Sequence, residues 1–156
     1  MRVSLVAVGT RMPSWVREAY GDYSKRLAAR LPVTLTELPP GKRTAGSDDA
    51  RAMADEGKRL LAALKRDDHV VLLDERGTER TSTELASWLR QRQQEGRNVA
   101  FLVGGPDGFA PEVRERAAER WSLSKLTLPH ALVRVVFIEQ IYRAVTLLDG
   151  HPYHRE

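Results

Sequence analysis

The hydrophobic positions of the chain form two alternating patterns, short apolar runs rich in β-branched residues and longer stretches with helical spacing. The short runs predict four strands, each ending at a glycine, a proline or an aspartate: residues 2–8, 33–38, 69–73 and 99–103. The longer stretches predict five helices: residues 13–30, 47–64, 83–94, 111–119 and 131–148. Two short extended pieces are predicted at 121–123 and 126–128. This interleaving predicts an α/β fold, a mostly parallel sheet with helices on both faces, in a single domain covering residues 1–156.

Composition narrows the chemistry that this domain can carry. The 156 residues include no cysteine, which excludes disulfides, thiolate nucleophiles and cysteine-based metal sites. Lys and Arg outnumber Asp and Glu by 25 to 21, a net charge of +4, and residues 1–66 carry 13 basic and 7 acidic side chains. This N-terminal basic bias fits either a contact with nucleic acid or a solvated pair of helices.

No segment has the length and polarity of a membrane span. The opening run, residues 1–10, is too short and lacks a small-residue cleavage site. The most apolar segment, residues 131–148, is interrupted by four polar or charged side chains: Arg134, Glu139, Gln140 and Arg143. We therefore expect a soluble, cytoplasmic protein with no membrane partner.

Three loops follow the ends of predicted strands, where open α/β sheets bind their ligands. They are Leu73–Asp74, the turn Gly104–Gly108 and the segment Ser122–Leu128. Gly104 and Gly105 have no Cβ, so a ligand can approach their backbone closely, although a tight turn alone would also explain them. The turn lacks the GxGxxG spacing of dinucleotide-binding proteins, and no Lys-Ser or Lys-Thr pair follows it as in phosphate-binding loops.

The third loop alternates apolar and polar residues. A half-buried edge strand would give the same pattern. Because a proline and a long apolar helix follow directly, the loop could also offer backbone polar groups and leucine side chains to a purine-like ring.

The C-terminal residues 151–156, HPYHRE, combine an aromatic ring, imidazoles and a guanidinium. Chain ends are usually frayed, but these groups together can stack on a base, hold a phosphate or move a proton. His130, His151 and His154 fall in the last 27 residues, and their number and spacing do not favour zinc. We expect no metal.

Four segments in order carry a resemblance to a known family: LVAVGTRMPSWV, FLVGGPDG, WSLSKLTLPHALVRVVFIEQIYRA and the final HPYHRE. They are similar to the large-subunit ribosomal RNA pseudouridine N3-methyltransferases, small members of the SPOUT (trefoil-knot) methyltransferase superfamily. The resemblance covers essentially the whole chain. It implies a C-terminal trefoil knot within the α/β fold, which periodicity alone would never predict because threaded chains are rare.

The resemblance also implies S-adenosylmethionine as the cofactor, held by the same three loops. It implies a homodimer in which the C-terminal tail of one subunit helps to complete the active site of the other. The substrate would be ribosomal RNA, within the large subunit, within the assembled ribosome or free. The positions that match the cofactor site of the family are these: Leu73, Gly104, Gly105, Leu123, Ser124, Lys125, Leu126, Thr127 and Leu128.

The implied reaction requires that a proton leave N3 of a pseudouridine, an imide nitrogen that is protonated at neutral pH. We expect His154 to accept this proton, Arg155 or Arg134 to supply positive charge, and Tyr153 to stack on or orient the base. His130, at the head of the last helix, has either a structural role or one near the cofactor.

Lys42 and Arg43, with Arg134, are the expected contacts to RNA phosphates, and they would make RNA binding dependent on salt. Two other functions remain open on these residues alone. One is a non-enzymatic RNA-binding factor with a vestigial cofactor pocket, which would show no heat of binding with S-adenosylmethionine. The other is a SPOUT enzyme that methylates transfer RNA, which a comparison of RNA substrates would detect.

Overall fold

The computed structural model describes residues 1–44 and 49–155, without the side chains of the last two. The strands of this part of the chain are β1 (Val3–Val8), β2 (Val33–Leu38), β3 (His69–Glu79), β4 (Val99–Val103) and β5 (Glu119–Ser122). The helices are α1 (Ser14–Leu27), α2 (Asp49–Ala62), α3 (Ser82–Glu95), α4 (Pro111–Arg116) and α5 (His130–Asp149), followed by a 3-10 helix, Pro152–Arg155. None of the helices in this part of the chain combines the length and the apolar character of a membrane span.

The strands form one sheet in the order β2-β1-β4-β3-β5, and every neighbouring pair is parallel. In the central register, Val3 of β1 lies between Val33 of β2 and Val99 of β4. Because all the strands run in the same direction, their carboxyl ends lie at one edge of the sheet. The predicted parallel α/β architecture is confirmed.

Helices cover both faces of the sheet, as predicted. On one face α1, α3 and α5 pack over a cluster that contains Phe101, and on the other α2 and α4 pack over a cluster that contains Leu102. The alternation arises because successive side chains of a strand point to opposite faces. The residues that the helical spacing of α3 places in the core are buried: Leu85, Trp88 and Leu89.

Local signals explain the limits of α3. The Thr81 hydroxyl accepts a hydrogen bond of 3.1 Å from the Glu84 amide, and the Glu84 carboxylate accepts one of 3.4 Å from the Thr81 amide. This reciprocal capping satisfies two amides at the start of the helix. At the other end Gly96 adopts a φ of +68°, the left-handed conformation that commonly terminates helices.

The structure differs from the predicted elements around β3 and β5. β3 continues past Leu73 to Glu79, because after an irregular stretch Thr78 and Glu79 pair again with β5. A Cβ on Gly77, within that stretch, would lie 2.6 Å from the backbone of Arg120, so glycine is needed where the two strands approach.

One further boundary was predicted wrongly: the fourth helix ends at Arg116 rather than at 119, because β5 already begins at Glu119. Of the two predicted extended pieces, 121–123 overlaps β5, and 126–128 belongs to no strand. The predicted start of the second helix at Ser47 and Asp48 lies outside the described residues.

Candidate cofactor site and C-terminal tail

An open cavity of about 380 Å³ lies at the carboxyl edge of the sheet, beside β3 and β4. Leu73 and Val103 line it, together with the turn Gly104–Gly108, residues from the segment 123–128 and the first turn of α5. Its size is within the range of small-molecule and cofactor sites. The three loops that follow strand ends in the sequence therefore meet in one cavity.

The turn after β4 is tightly packed around its first two glycines. A Cβ on Gly105 would lie 2.4 Å from Oε1 of Glu56, and a Cβ on Gly104 would lie 3.0 Å from the carbonyl oxygen of Gly108. The Gly108 amide donates a hydrogen bond of 3.0 Å to the Gly105 carbonyl, which closes the turn. The turn thus packs its backbone against a buried carboxylate of α2 while it lines the cavity.

Hydroxyl groups shape the segment after β5. The Ser122 hydroxyl donates to the Ser124 carbonyl at 2.7 Å, and the Ser124 hydroxyl accepts from the Leu126 amide at 2.9 Å. The Thr127 hydroxyl donates to Glu75 at 2.8 Å, which ties this segment to the irregular stretch of β3. The small polar residues of this loop therefore serve its own conformation and its attachment to β3.

Charged groups of both signs line the cavity. Three carboxylates lie there with two guanidinium groups: Asp74, Glu75, Asp107, Arg76 and Arg114. Among the residues whose placement is described, no three Asp, Glu, His or Cys side chains come together as a metal site would require.

His130, at the start of α5, also lines the cavity. Burial lowers the pKa of its imidazole below the ordinary value of 6.5, the positive charge of Arg134 acts in the same direction, and Glu56 partly opposes them. The side chain is therefore neutral at pH 7, with one nitrogen able to donate and the other able to accept a hydrogen bond. His130 therefore lies at the predicted cofactor cavity, and its role there stays a prediction.

Eight of the nine residues assigned to the cofactor lie around this cavity: Leu73, Gly104, Gly105, Leu123, Ser124, Leu126, Thr127 and Leu128. The side chain of the ninth, Lys125, is 86% exposed, does not line the cavity, and lies 3.6 Å from Glu79. Leu126 is 75% exposed, so it belongs to the rim.

The C-terminal tail lies elsewhere on α5. The Tyr153 hydroxyl donates to Glu139 at 3.0 Å and lies 3.3 Å from the Tyr23 hydroxyl, while its ring packs on Tyr142 with a centroid separation of 4.7 Å. None of residues 151–153 lines the cavity, and Glu139 is six residues along the helix from Val133, an α5 residue that does, or about 9 Å at the helical rise. The tail is therefore docked away from the cavity of its own chain; the side chains of His154 and Arg155 lie outside the described residues.

Arg134 is placed differently from the expectation. Its side chain is only 1% exposed; it pairs with Glu37 of β2 and donates a hydrogen bond of 2.8 Å to the Gly9 carbonyl. It joins α5 to the carboxyl ends of β1 and β2, so it is unavailable to an RNA phosphate or to a reacting base.

The two expected RNA contacts after β2 have different environments in the structure. Lys42 is exposed, as a phosphate contact requires. Arg43 is 21% exposed and is held by two carboxylates, Glu56 and Asp107. Its guanidinium is committed within the protein, so of this pair only Lys42 keeps the predicted role.

Sequence reasoning missed several groups at the cavity. Glu75 and Arg76 went unassigned because the strand was predicted to end at Leu73, and Phe109, Arg114 and Val133 carry no local signal. Glu56, which lies behind the turn and does not line the cavity, did carry a local signal. It interrupts the apolar face of α2 that contains Met53, Gly57 and Leu60, and an acid within such a face is rarely buried without a partner.

The chain matches a known protein family over almost its whole length. A family model described as "Predicted SPOUT methyltransferase" matches residues 1–154. The chain belongs to the SPOUT methyltransferase family. Its parallel sheet and helices on both faces fit that family, as the resemblance implied.

Relatives of this SPOUT chain match it from end to end. It is 53% identical over 155 residues to the ribosomal RNA large subunit methyltransferase H of Methylococcus capsulatus, an alignment that covers 99% of this chain and 100% of the relative. Proteins of the same name from Stenotrophomonas maltophilia and Thiobacillus denitrificans are 50% and 48% identical. These alignments cover 99% of both chains in the first case and 100% of both in the second.

Proposed function

We propose that this protein transfers a methyl group from S-adenosylmethionine to N3 of a pseudouridine in large-subunit ribosomal RNA. The observation that carries the proposal is the cavity at the carboxyl edge of the sheet, where eight of the nine residues assigned to the cofactor meet. The names of the full-length relatives support ribosomal RNA of the large subunit as the substrate. Such a substrate would also place the protein in the cytoplasm.

The lining fits S-adenosylmethionine. Leu73 and Leu128 offer apolar surface to an adenine ring, and the backbone of the Gly104–Gly108 turn lines the same cavity. The carboxylates of Asp74 and Glu75 suit a ligand that carries a positive charge. Bound there, the cofactor supplies an electrophilic methyl group on a sulfonium centre.

The residues of the chain must then align the base and take the proton from N3. We assign to His154 the role of accepting this proton, and to Arg155 the role of supplying positive charge beside the imide. The Tyr153 hydroxyl is engaged by Glu139, and Arg143 lies 5.1 Å from its ring centroid. We therefore assign to Tyr153 the docking of the tail, through which it would position the two residues that follow.

A homodimer accounts for the separation between tail and cavity. Because the tail lies along α5 from the cavity of its own chain, a second copy related by a two-fold axis would deliver its tail instead. Leu132, Val135 and Val136 on α5 are only partly buried and offer apolar surface for such a contact. The dimer would double the net charge of +4, which strengthens its attraction to RNA.

Methyl incorporation tests the proposal, measured side by side on large ribosomal subunits, assembled ribosomes, free ribosomal RNA and transfer RNA. We expect label in at least one ribosomal substrate and none in transfer RNA. Leu128→Trp, which adds bulk at the cavity, should abolish incorporation, whereas the exposed α2 substitution Lys58→Ala should leave it unchanged. Label in transfer RNA alone, or no heat on titration with S-adenosylmethionine, would overturn the proposal.

A further inference from the structure

A buried carboxylate lies directly behind the glycine turn of the cavity. Glu56 of α2 is 1% exposed. It accepts a hydrogen bond of 2.9 Å from the Gly41 amide and bonds of 2.7 and 3.0 Å from Arg43. A Cβ on Gly105 would lie 2.4 Å from Oε1 of the same carboxylate, so the turn rests against it.

Arg43 extends this contact to the far end of the turn. Its Nε donates to Asp107 at 3.0 Å, and its Nη2 lies 2.9 Å from the same carboxylate. Its guanidinium also donates to Glu56 and, at 3.3 Å, to the Gly41 carbonyl. One guanidinium therefore spans a carboxylate of α2 and a carboxylate of the cavity lining. Gly105 and Asp107 both line the cavity, and Arg43 and Glu56 do not.

The loop that carries Arg43 is itself fixed to α2. A Cβ on Gly41 would lie 2.4 Å from the Ala52 carbonyl oxygen, so the loop backbone presses on the helix. Arg59 donates to the Pro39 carbonyl at 2.8 Å and holds the loop without reaching the turn. The loop is thus held on α2 without any contribution from Asp107. Arg43 can therefore fix the turn in place through its contact with Asp107.

The electrostatics favour a permanently charged pair. Despite burial, the hydrogen bonds from Arg43 and the Gly41 amide hold the pKa of the Glu56 carboxyl below its usual range. The hydrogen bonds from Arg43 to Glu56 and Asp107 in turn raise the pKa of Arg43. Breaking such a pair by removing one partner leaves an uncompensated buried charge. The pair therefore has one favoured geometry, and the turn packed against it shares that geometry.

We propose that Arg43 and Glu56 are positioning residues for the cofactor: they hold the Gly104–Gly108 turn in the shape that binds S-adenosylmethionine, and they contact neither cofactor nor RNA. The inference rests on the proposed function, because it presupposes that this cavity binds the cofactor. It gives Arg43 a role distinct from the RNA contact expected from its sequence context.

The test compares Arg43→Ala with Arg59→Ala, which removes a loop tether of similar charge but not the link to the turn. Calorimetry gives the Kd for S-adenosylmethionine, and steady-state kinetics give KM for each substrate and kcat. We expect Arg43→Ala to weaken cofactor binding about tenfold with the KM for RNA and kcat changed less than about twofold. Arg59→Ala should change cofactor binding less than about twofold, and Arg43→Lys, which keeps a cation, should recover part of the affinity.

A double-mutant cycle separates positioning from direct contact. If Asp107 acts through Arg43, Asp107→Asn should weaken cofactor binding in the wild-type background and add little in the Arg43→Ala background. Asp107 is partly exposed, with 36% of its side chain accessible, so this substitution and Arg43→Lys keep the test valid should Arg43→Ala not fold.

Two results would overturn the inference alone: unchanged cofactor affinity in the Arg43 variants, or a rise confined to the KM for RNA. A wild-type protein that binds no S-adenosylmethionine would overturn the proposed function and this inference with it. Full additivity of the Arg43 and Asp107 substitutions would also contradict the link between them.

Discussion

At the scale of single residues, the cavity depends on a glycine packed against an acid. Gly105→Ala would bring a methyl group to 2.4 Å from the Glu56 carboxylate, and relief requires movement of the turn or of the Arg43 pair. Overpacking of this kind costs about 1–3 kcal/mol. We expect a lower midpoint of thermal unfolding and weaker binding of S-adenosylmethionine.

Gly21→Ala is the matched control for this substitution. Gly21 lies within α1, and nothing lies within 4 Å of a Cβ built there. The same change should therefore raise stability by about 0.4–1 kcal/mol and leave cofactor binding alone. Equal effects of the two substitutions on unfolding would show that the Glu56 contact imposes no constraint.

His130 gives the cavity a pH-dependent contribution to stability. Its pKa is lowered in the folded protein, so between that value and the ordinary 6.5 the unfolded state binds more protons. The free energy of unfolding should consequently fall as the pH decreases through about 6.5, until the pH is below the folded pKa. Denaturant titrations from about pH 7.5 to about pH 5 should show a smaller loss in His130→Asn than in the wild type. Parallel curves would refute the assignment, since the other titrating groups are common to both proteins.

The sequence could predict the role of a residue only where that role follows from the position of the residue next to a strand. It could not do so where the role depends on a partner far away in the sequence. Gly104 and Gly105 follow a buried strand, and that position was enough to predict that they lie at the carboxyl edge of the sheet, where the cavity is. Arg43 could not be assigned in this way, because its partner Asp107 lies 64 positions away and only the fold brings them together. Arg134 was misassigned for the same reason: Glu37 lies 97 positions away.

At the scale of elements, the docking of the C-terminal tail on α5 is open to a direct test. Tyr153→Phe removes the hydroxyl that donates to Glu139, a loss of about 1 kcal/mol. We expect faster amide exchange in residues 151–155 and several-fold slower methyl transfer, with the Kd for S-adenosylmethionine unchanged.

Tyr142→Phe serves as the control, because it keeps the ring that packs on Tyr153 and no bond to Glu139 is lost. If Tyr153→Phe transfers methyl groups as fast as the wild type, the hydrogen bond from Tyr153 to Glu139 does not contribute to turnover. A matching loss in Tyr142→Phe would assign the effect to α5 rather than to the tail.

The elements themselves were predictable where periodicity and capping agree. β1, β2, β4 and α3 have clear apolar patterns and end at glycine, proline or capping residues, and their predicted bounds are correct to within two residues. The error at β3 has a physical cause. Residues 74–79 are polar, and their pairing depends on β5, some forty residues later, so no local pattern reveals it.

At the scale of the whole molecule, affinity for RNA should follow the exposed positive charge. Lys42 is exposed and free of the carboxylates that hold Arg43. We expect Lys42→Ala to weaken RNA binding. In a plot of the logarithm of the association constant against the logarithm of the salt concentration, the slope should become less steep by about one unit per binding site. Lys58→Ala, which removes an exposed charge from α2, is the control variant for Lys42→Ala. Equal slopes for wild type and Lys42→Ala would exclude Lys42 as a phosphate contact.

Two predicted properties of the whole molecule cannot be obtained from hydrophobic periodicity. The predicted trefoil knot rests on family resemblance, since hydrophobic spacing defines elements but not the path that threads them. The predicted dimer has the same basis, and the structure adds the distance between tail and cavity along α5, which a second copy would resolve.

We propose that each methyl-transfer site is built from the cavity of one subunit and the tail of its partner, and dimers of mixed subunits test this arrangement. A chain lacking residues 151–156 keeps its cavity, and Leu128→Trp keeps its tail but has a blocked cavity. Each homodimer should be inactive on ribosomal RNA. After the two are unfolded together and refolded, heterodimers should contain one complete site and recover methyl incorporation to about a quarter of the wild-type level, since half of the dimers are mixed. A mixture as inactive as its parents, in dimers shown to have exchanged subunits, would contradict the composite site.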